Sequence, residues 1–148
     1  MAQDQLKWDK RYLSLAKHVS DWSKDPGTKV GAVITKTNRV VSLGYNGFPE
    51  GVIDCETRYA NRETKLKVVV HAEPNAIISA KQDLTDCTLY VWPFMPCSSC
   101  AGLIIQSGIK RVVSVTNDNN TKWLESFRMS EIMFNESGVK LDLLNFSE

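Results

Sequence analysis

The sequence has almost no histidine and no surplus of either charge. Two histidines stand among 148 residues, and eighteen Lys and Arg face seventeen Asp and Glu for a net charge of +1. Such a balance supplies no broad cationic field for a long polyanion, so no nucleic-acid partner is expected. No apolar run approaches the ~18 residues of a membrane span, so no membrane partner is expected either. The first ten residues, MAQDQLKWDK, hold no apolar stretch behind their first charge. A secretory leader is therefore not expected, and a cytoplasmic location with reduced thiols is. Only eight glycines and five prolines occur, with 43% hydrophobic and 24% charged residues, which excludes collagen-like, disordered and low-complexity chains. A length of 148 residues points to one domain, residues 1–148, around one core. Four cysteines in a reducing compartment are weighed first as metal ligands, catalytic groups or small core residues.

Along the chain, Trp8, Tyr12, Leu15, Ala16, Val19 and Trp22 recur at helical spacing from Asp4 onward, and Asp25-Pro26-Gly27 stops the pattern. Val30 to Thr35 and Arg39 to Tyr45 are β-branched runs around Lys36-Thr37-Asn38, which predicts a hairpin. Asn46 to Lys67 shows no clear period and reads as a long loop with one helical turn; long loops in compact domains tend to be functional. A helix led by Pro74 and running to Ala80, a strand Thr88 to Trp92, a helix Cys97 to Ser107 opened by Pro96 and ended by Gly108, and a strand Arg111 to Thr116 follow. A helix from Lys122 to Glu136, with Trp123, Phe127, Ile132 and Met133 inward, and a strand Val139 to Leu144 complete the chain. The order α-β-β-α-β-α-β-α-β predicts an α/β fold of three layers, α-β-α, with a mixed five-stranded sheet.

Two segments carry chemistry: His71-x-Glu73 and, after twenty-two intervening residues, Pro96-Cys97-x-x-Cys100. Cysteines at i and i+3 share a helix face, and at a first turn their thiolates gain from the helix dipole. A lone CxxC also fits a redox pair or half of a structural zinc site. Cys55, Cys87 and His18 have no paired spacing with His71, so His71, Cys97 and Cys100 make three ligands and leave a position open. Cys55 and Cys87 read as small buried apolar residues. An open zinc position holds a water whose pKa falls to about 7, and Glu73 is placed to act on it as general acid and base.

H-x-E followed by P-C-x-x-C is the signature of the zinc-dependent nucleobase deaminases. Beyond it, the chain resembles the deoxycytidylate (dCMP) deaminases, with their cytidine deaminase-like fold, along most of its length. The matching stretches are Lys29 to Ile34, Gly44-Tyr45-Asn46-Gly47-Phe48-Pro49, His71 to Ile77, Leu89-Tyr90-Val91, Pro96 to Ala101 and Ile109 to Val113. The resemblance implies hydrolysis of dCMP to dUMP and ammonia, which supplies dUMP for thymidylate synthesis, with one catalytic Zn²⁺ per subunit. It implies attack of the activated water on C4 of cytosine while Glu73 protonates N3. It also implies a homo-oligomer, a hexamer as in the family, activated by dCTP and inhibited by dTTP. Lys29, Gly44, Tyr45, Asn46 and Gly47 would form the effector site, with Mg²⁺ accompanying the triphosphate. Trp22, Phe127 and Met129 are large apolar candidates for an interface between subunits.

The substrate-binding candidates are Asn46, which matches in place an asparagine that holds the nucleotide in many deaminases, Ala72, Arg62, Phe94 and Trp123. Arg62 is chosen for the phosphate among Arg58, Arg62, Lys65 and Lys67; Phe94, Trp92 and Trp123 are placed to stack on the base. Cys55 is the one cysteine in the loop where many family members bind a second zinc, so none is expected here. A tRNA adenosine deaminase would share the zinc ligands but needs a cationic RNA surface. Residues 101–148 carry five Lys and Arg against six Asp and Glu, too little for a docking arm. Free cytidine deaminases usually place cysteine where His71 stands. A non-catalytic zinc-stabilised binding module would have no use for Glu73.

Overall fold

A computed structural model describes residues 2–116 and 123–146. Helix α1 (Ala2–Ser20) is followed by strands β1 (Gly31–Lys36) and β2 (Arg39–Tyr45), short helices α2 (Glu56–Ala60) and α3 (Arg62–Val68), then α4 (Ala72–Ala80), β3 (Thr88–Trp92), α5 (Ser98–Gln106), β4 (Arg111–Val115), α6 (Leu124–Ser137) and β5 (Lys140–Leu144). The strands form one sheet in the order β2-β1-β3-β4-β5. β1 is antiparallel to both β2 and β3, whereas β3, β4 and β5 run parallel. This is the mixed five-stranded sheet that the strand order predicts.

Alternation along the strands divides the core. Ala32 and Ile34 of β1, Leu89 and Val91 of β3 and Val112 of β4 face α4, α5 and α6. Val33, Tyr90 and Val113, one residue out of phase, face α1 through Tyr12, Leu13 and Ala16. Each large aliphatic side chain buried in these layers contributes about 1.5–3 kcal/mol. Helices on both faces complete the three layers.

Some inward assignments move. Leu13 rather than Leu15 is fully buried on α1, and Trp22 lies past the helix end, 50% exposed, edge-on to both His18 and Tyr45. On α6 the buried positions are Phe127, Ser130 and Phe134, while Ile132 is exposed. Ser130 supplies the reason: its hydroxyl donates to the carbonyl of Pro96, so a polar residue faces inward and shifts the stripe. Lys122, the expected start of this helix, lies outside the described residues. Phe127 is buried and lines the cavity described below, so it offers no surface to another subunit.

The segment 46–67 departs most from expectation, holding two helices rather than one turn. α3 is capped by Asn61, whose side chain accepts from the Thr64 amide at 3.1 Å. It buries no residue, because its inward stripe, Arg62, Lys65, Leu66 and the following Val69, faces a cavity. Gly108 ends α5 as expected, with φ +90°.

Candidate active site

The two motifs meet where two helices begin. His71 is the N-cap of α4 and Cys97 the N-cap of α5, each in extended backbone. Pro74 falls at the third helical position, where its missing N–H has no intrahelical partner to lose; Pro96 precedes the cap and so does not itself open the helix. Cys100 lies one turn into α5 and is buried. β2 holds α4 in place: Ser42 donates to the carbonyl of Ala76, and Gly44 meets α4 so closely that a Cβ there would sit 2.5 Å from the oxygen of Ala72 and the nitrogen of Ala76.

Nδ1 of His71 stands 3.2 Å from Sγ of Cys100 and 3.6 Å from Sγ of Cys97. All three donor atoms lie within 4.8 Å of one another. Tetrahedral zinc with Zn–S of about 2.3 Å and Zn–N of about 2.0 Å requires S···N separations of about 3.5 Å. One imidazole and two sulfurs at these separations therefore fit zinc. Hydrogen bonding to Cys100, and then to His71, pulls the Cys97 thiol down to about 4, which yields the thiolate a metal needs. The same Cys97 hydrogen bond, with burial, pushes the Cys100 thiol up, and Cys97 also raises the His71 imidazole. The trio thus shares protons that a dication displaces on binding.

Glu73, two residues beyond His71, is 4% exposed. Burial pushes its carboxyl up to about 7, so near neutrality it both accepts and releases a proton.

Glu73 borders a cavity of about 470 Å³ that also touches His71, Cys97 and Ala72. Asn46, Arg62, Phe94 and Trp123 line it too, so all five substrate candidates lie around one space. Phe94 leans on Phe127, with ring centroids 5.5 Å apart. Trp92 points to the opposite face of the sheet, edge-on to Phe146, because it is one residue out of phase with the cavity side of β3. Asn46 is buried and spans the wall: its Oδ1 accepts from the Val30 amide at 2.9 Å and its Nδ2 donates to the Thr28 carbonyl at 2.9 Å. Of the effector candidates, Lys29 and Tyr45 are exposed, Gly47 is half-buried, and Gly44 and Asn46 are buried.

Residues 6–116 match the family model described as the cytidine and deoxycytidylate deaminase zinc-binding region. The chain belongs to that family. It is 47% identical over 140 residues to an uncharacterised deaminase of Aliivibrio fischeri, covering 93% of this chain and 94% of the relative. With human deoxycytidylate deaminase the identity is 36% over 143 residues, covering 92% and 79%. The crystal structure of a cyanophage S-TIM5 dCMP deaminase in complex with dCMP and dUMP matches with a TM-score of 0.72 and 25% identity, covering 91% of this chain and 95% of that one.

In this zinc-binding deaminase, Asp25 and Ser23 escaped the sequence reading, as did the pairing of Lys65, which stood there only as one of four phosphate candidates. Asp25, taken as a helix stop, is 4% exposed and lines the cavity. Lys65 pairs with it at 3.0 Å, and Ser23, also buried, donates to the Asn46 carbonyl at 2.8 Å. Nothing in their spacing marks them, since a turn and a helix 40 residues apart supply the pair. Cys87 is buried as expected, but Cys55 is exposed at the start of α2, because that short helix turns only Tyr59 inward.

Proposed function

We propose that this chain is a deoxycytidylate deaminase that hydrolyses dCMP to dUMP and ammonia in one catalytic domain. The observation that carries the reading is the buried Glu73 carboxyl beside the His71, Cys97 and Cys100 donors, in a cavity of nucleotide size. The relatives named above support dCMP as the substrate. When bound, zinc supplies a Lewis acid that makes water nucleophilic near neutral pH. Glu73 takes a proton from the attacking water and passes it to N3 of the cytosine. The other proton of that water leaves with the amine as ammonia, while Glu73 returns to its starting state. Phe94 and Trp123 flank the base and exclude water from it.

Control by dCTP and dTTP belongs to the same proposal, with Mg²⁺ on the triphosphate. Exposed Lys29 and Tyr45 offer the charge and the ring, Gly47 is fixed by its backbone pairing with Val70, and Asn46 is the link to the cavity wall. Gly44 acts there as a spacer against α4. A homo-oligomer, hexameric as the resemblance implies, is supported by the half-exposed Trp22 and Met129. Among the described residues no helix is long and apolar enough to cross a membrane, which is compatible with a cytoplasmic enzyme.

The deciding experiment compares dCMP, deoxycytidine and a tRNA hairpin by ammonia release and by the ultraviolet change of cytosine-to-uracil conversion. Turnover of dCMP is expected, accelerated by dCTP and slowed by dTTP; an inert zinc-loaded protein refutes the catalytic reading.

A further inference from the structure

The cavity wall carries a polar group that the deamination chemistry does not use. Asp25, Gly27, Thr28, Asn46, Arg62 and Lys65 all line the cavity, and Asp25 links Lys65, Gly27 and Asn46 by hydrogen bonds. We propose that Lys65, held in place by Asp25, is the specificity-determining residue that receives the 5′-phosphate and makes the cavity one for a nucleotide rather than a nucleoside. The inference rests on the deaminase reading above and assigns its substrate selectivity.

The cations of the segment 46–67 sort themselves by environment. Lys67 is 73% exposed and pairs with Glu63, itself 81% exposed. Arg58 donates to the Ile53 carbonyl. Arg62 lines the cavity from an exposed position. Lys65, one turn beyond Arg62 on the same helix face, has a side chain only 15% exposed and lies 3.0 Å from an Asp25 carboxylate that is 5% exposed. A long flexible side chain is ordered there in advance, which lowers the entropic cost of binding an anion.

The carboxylate does not cancel that role, because its own charge is already distributed over other donors. Asp25 Oδ1 also accepts from the Gly27 amide at 2.8 Å, and Oδ2 accepts from Asn46 Nδ2 at 3.4 Å. The ammonium carries three hydrogens, and one goes to Asp25. Gly27 leaves room beside it: a Cβ at that position would stand 3.1 Å from Nζ. With Arg62 one turn away, two cations stand beside Asp25; the cavity's other carboxyl, Glu73, is the one assigned to the chemistry. That is a site for a phosphate dianion, with Asp25 as the positioning residue.

The test measures kcat/KM for dCMP and for deoxycytidine, and calorimetric binding of dUMP and deoxyuridine, with the full-length zinc-loaded protein. Lys65→Gln is expected to lower kcat/KM for dCMP about 100-fold, mainly through KM, to weaken dUMP, and to leave deoxycytidine and deoxyuridine within about threefold. Lys65→Arg is expected to restore most of the preference. Because Lys65→Gln leaves Asp25 buried without its partner, the double variant Asp25→Asn/Lys65→Gln, which removes both charges, keeps the test open if the single variant misfolds. An unchanged dCMP-to-deoxycytidine ratio in a folded variant, or equal losses on both substrates, overturns the assignment alone. A wild-type protein that deaminates neither compound overturns the reading beneath it.

Discussion

Nδ1 of His71 and Sγ of Cys100 lie 3.2 Å apart across 29 residues of sequence. Neither can be moved without moving the start of a helix, so an ion held by the pair would tie α4 to α5. Zinc binding to the folded state alone adds stability by mass action. Removing it with a chelator should lower the thermal midpoint and abolish turnover, and added Zn²⁺ should restore both. His71→Ala should purify with well under one zinc per chain; a variant that keeps a full equivalent contradicts the ligand assignment.

Glu73 separates metal binding from chemistry. It is not one of the three donors, so Glu73→Gln should retain zinc by metal analysis and bind dUMP. Loss of a general acid and base lowers turnover by about 10²–10⁴-fold. A variant with near wild-type kcat removes Glu73 from the mechanism.

Gly44 lies inside the stretch that resembles an effector loop, yet its absent side chain faces α4. Gly44→Ala puts a Cβ 2.5 Å from backbone atoms of Ala72 and Ala76, and backbone cannot swing aside as a side chain can. Such overpacking costs about 1–3 kcal/mol. A lower denaturation midpoint together with weaker zinc binding is expected, since Ala72 adjoins both His71 and Glu73. Full stability with only the response to dCTP lost would assign Gly44 to the effector instead.

The four thiols differ in access. Cys55 is exposed and Cys87 buried, and burial also pushes the Cys87 thiol up. In the zinc-loaded protein a colorimetric disulfide reagent should therefore titrate one fast thiol per chain. Chelation should add Cys97, whose thiol is pulled down to about 4, as a second fast group. Cys55→Ser should remove the first phase and leave the second.

The sheet was legible because its central strands are covered on both faces, and burial on both sides writes near-continuous apolar runs into β1, β3 and β4. The clustering of His71, Cys97 and Cys100 near Glu73 was legible because metal chemistry restricts residue type at fixed spacing. α3 was not, since its inward face lines a cavity: Arg62, Lys65, Leu66 and Val69 occupy the core stripe, and charges there erase the helical period. The link between Asp25 and Lys65 was equally hidden, as tertiary packing alone brings the two together. Ile132 was misplaced because a buried serine, Ser130, holds an inward position that hydrophobicity assigns to an apolar neighbour.

Far from the cavity, Asp9 of α1 joins the sheet through Arg111 of β4, at 2.7 and 2.9 Å, and through the Tyr90 hydroxyl at 2.7 Å. Burial raises the Asp9 carboxyl, but hydrogen bonds from Arg111, Tyr90 and Gln5 outweigh it, so its pKa lies below the ordinary 3.8. A carboxyl whose folded pKa is depressed binds more protons when unfolded, so its stabilisation is complete above pH 3.8 and is lost as pH falls through the folded value. Asp9→Asn leaves Asp142 as the carboxylate paired with Arg111 and should destabilise the protein by about 3 kcal/mol at neutral pH. Chemical denaturation at stepped pH should show that gap constant from neutrality down to about pH 4 and closing below it. A gap that stays constant into stronger acid means that the charge of Asp9 is not what stabilises the layer.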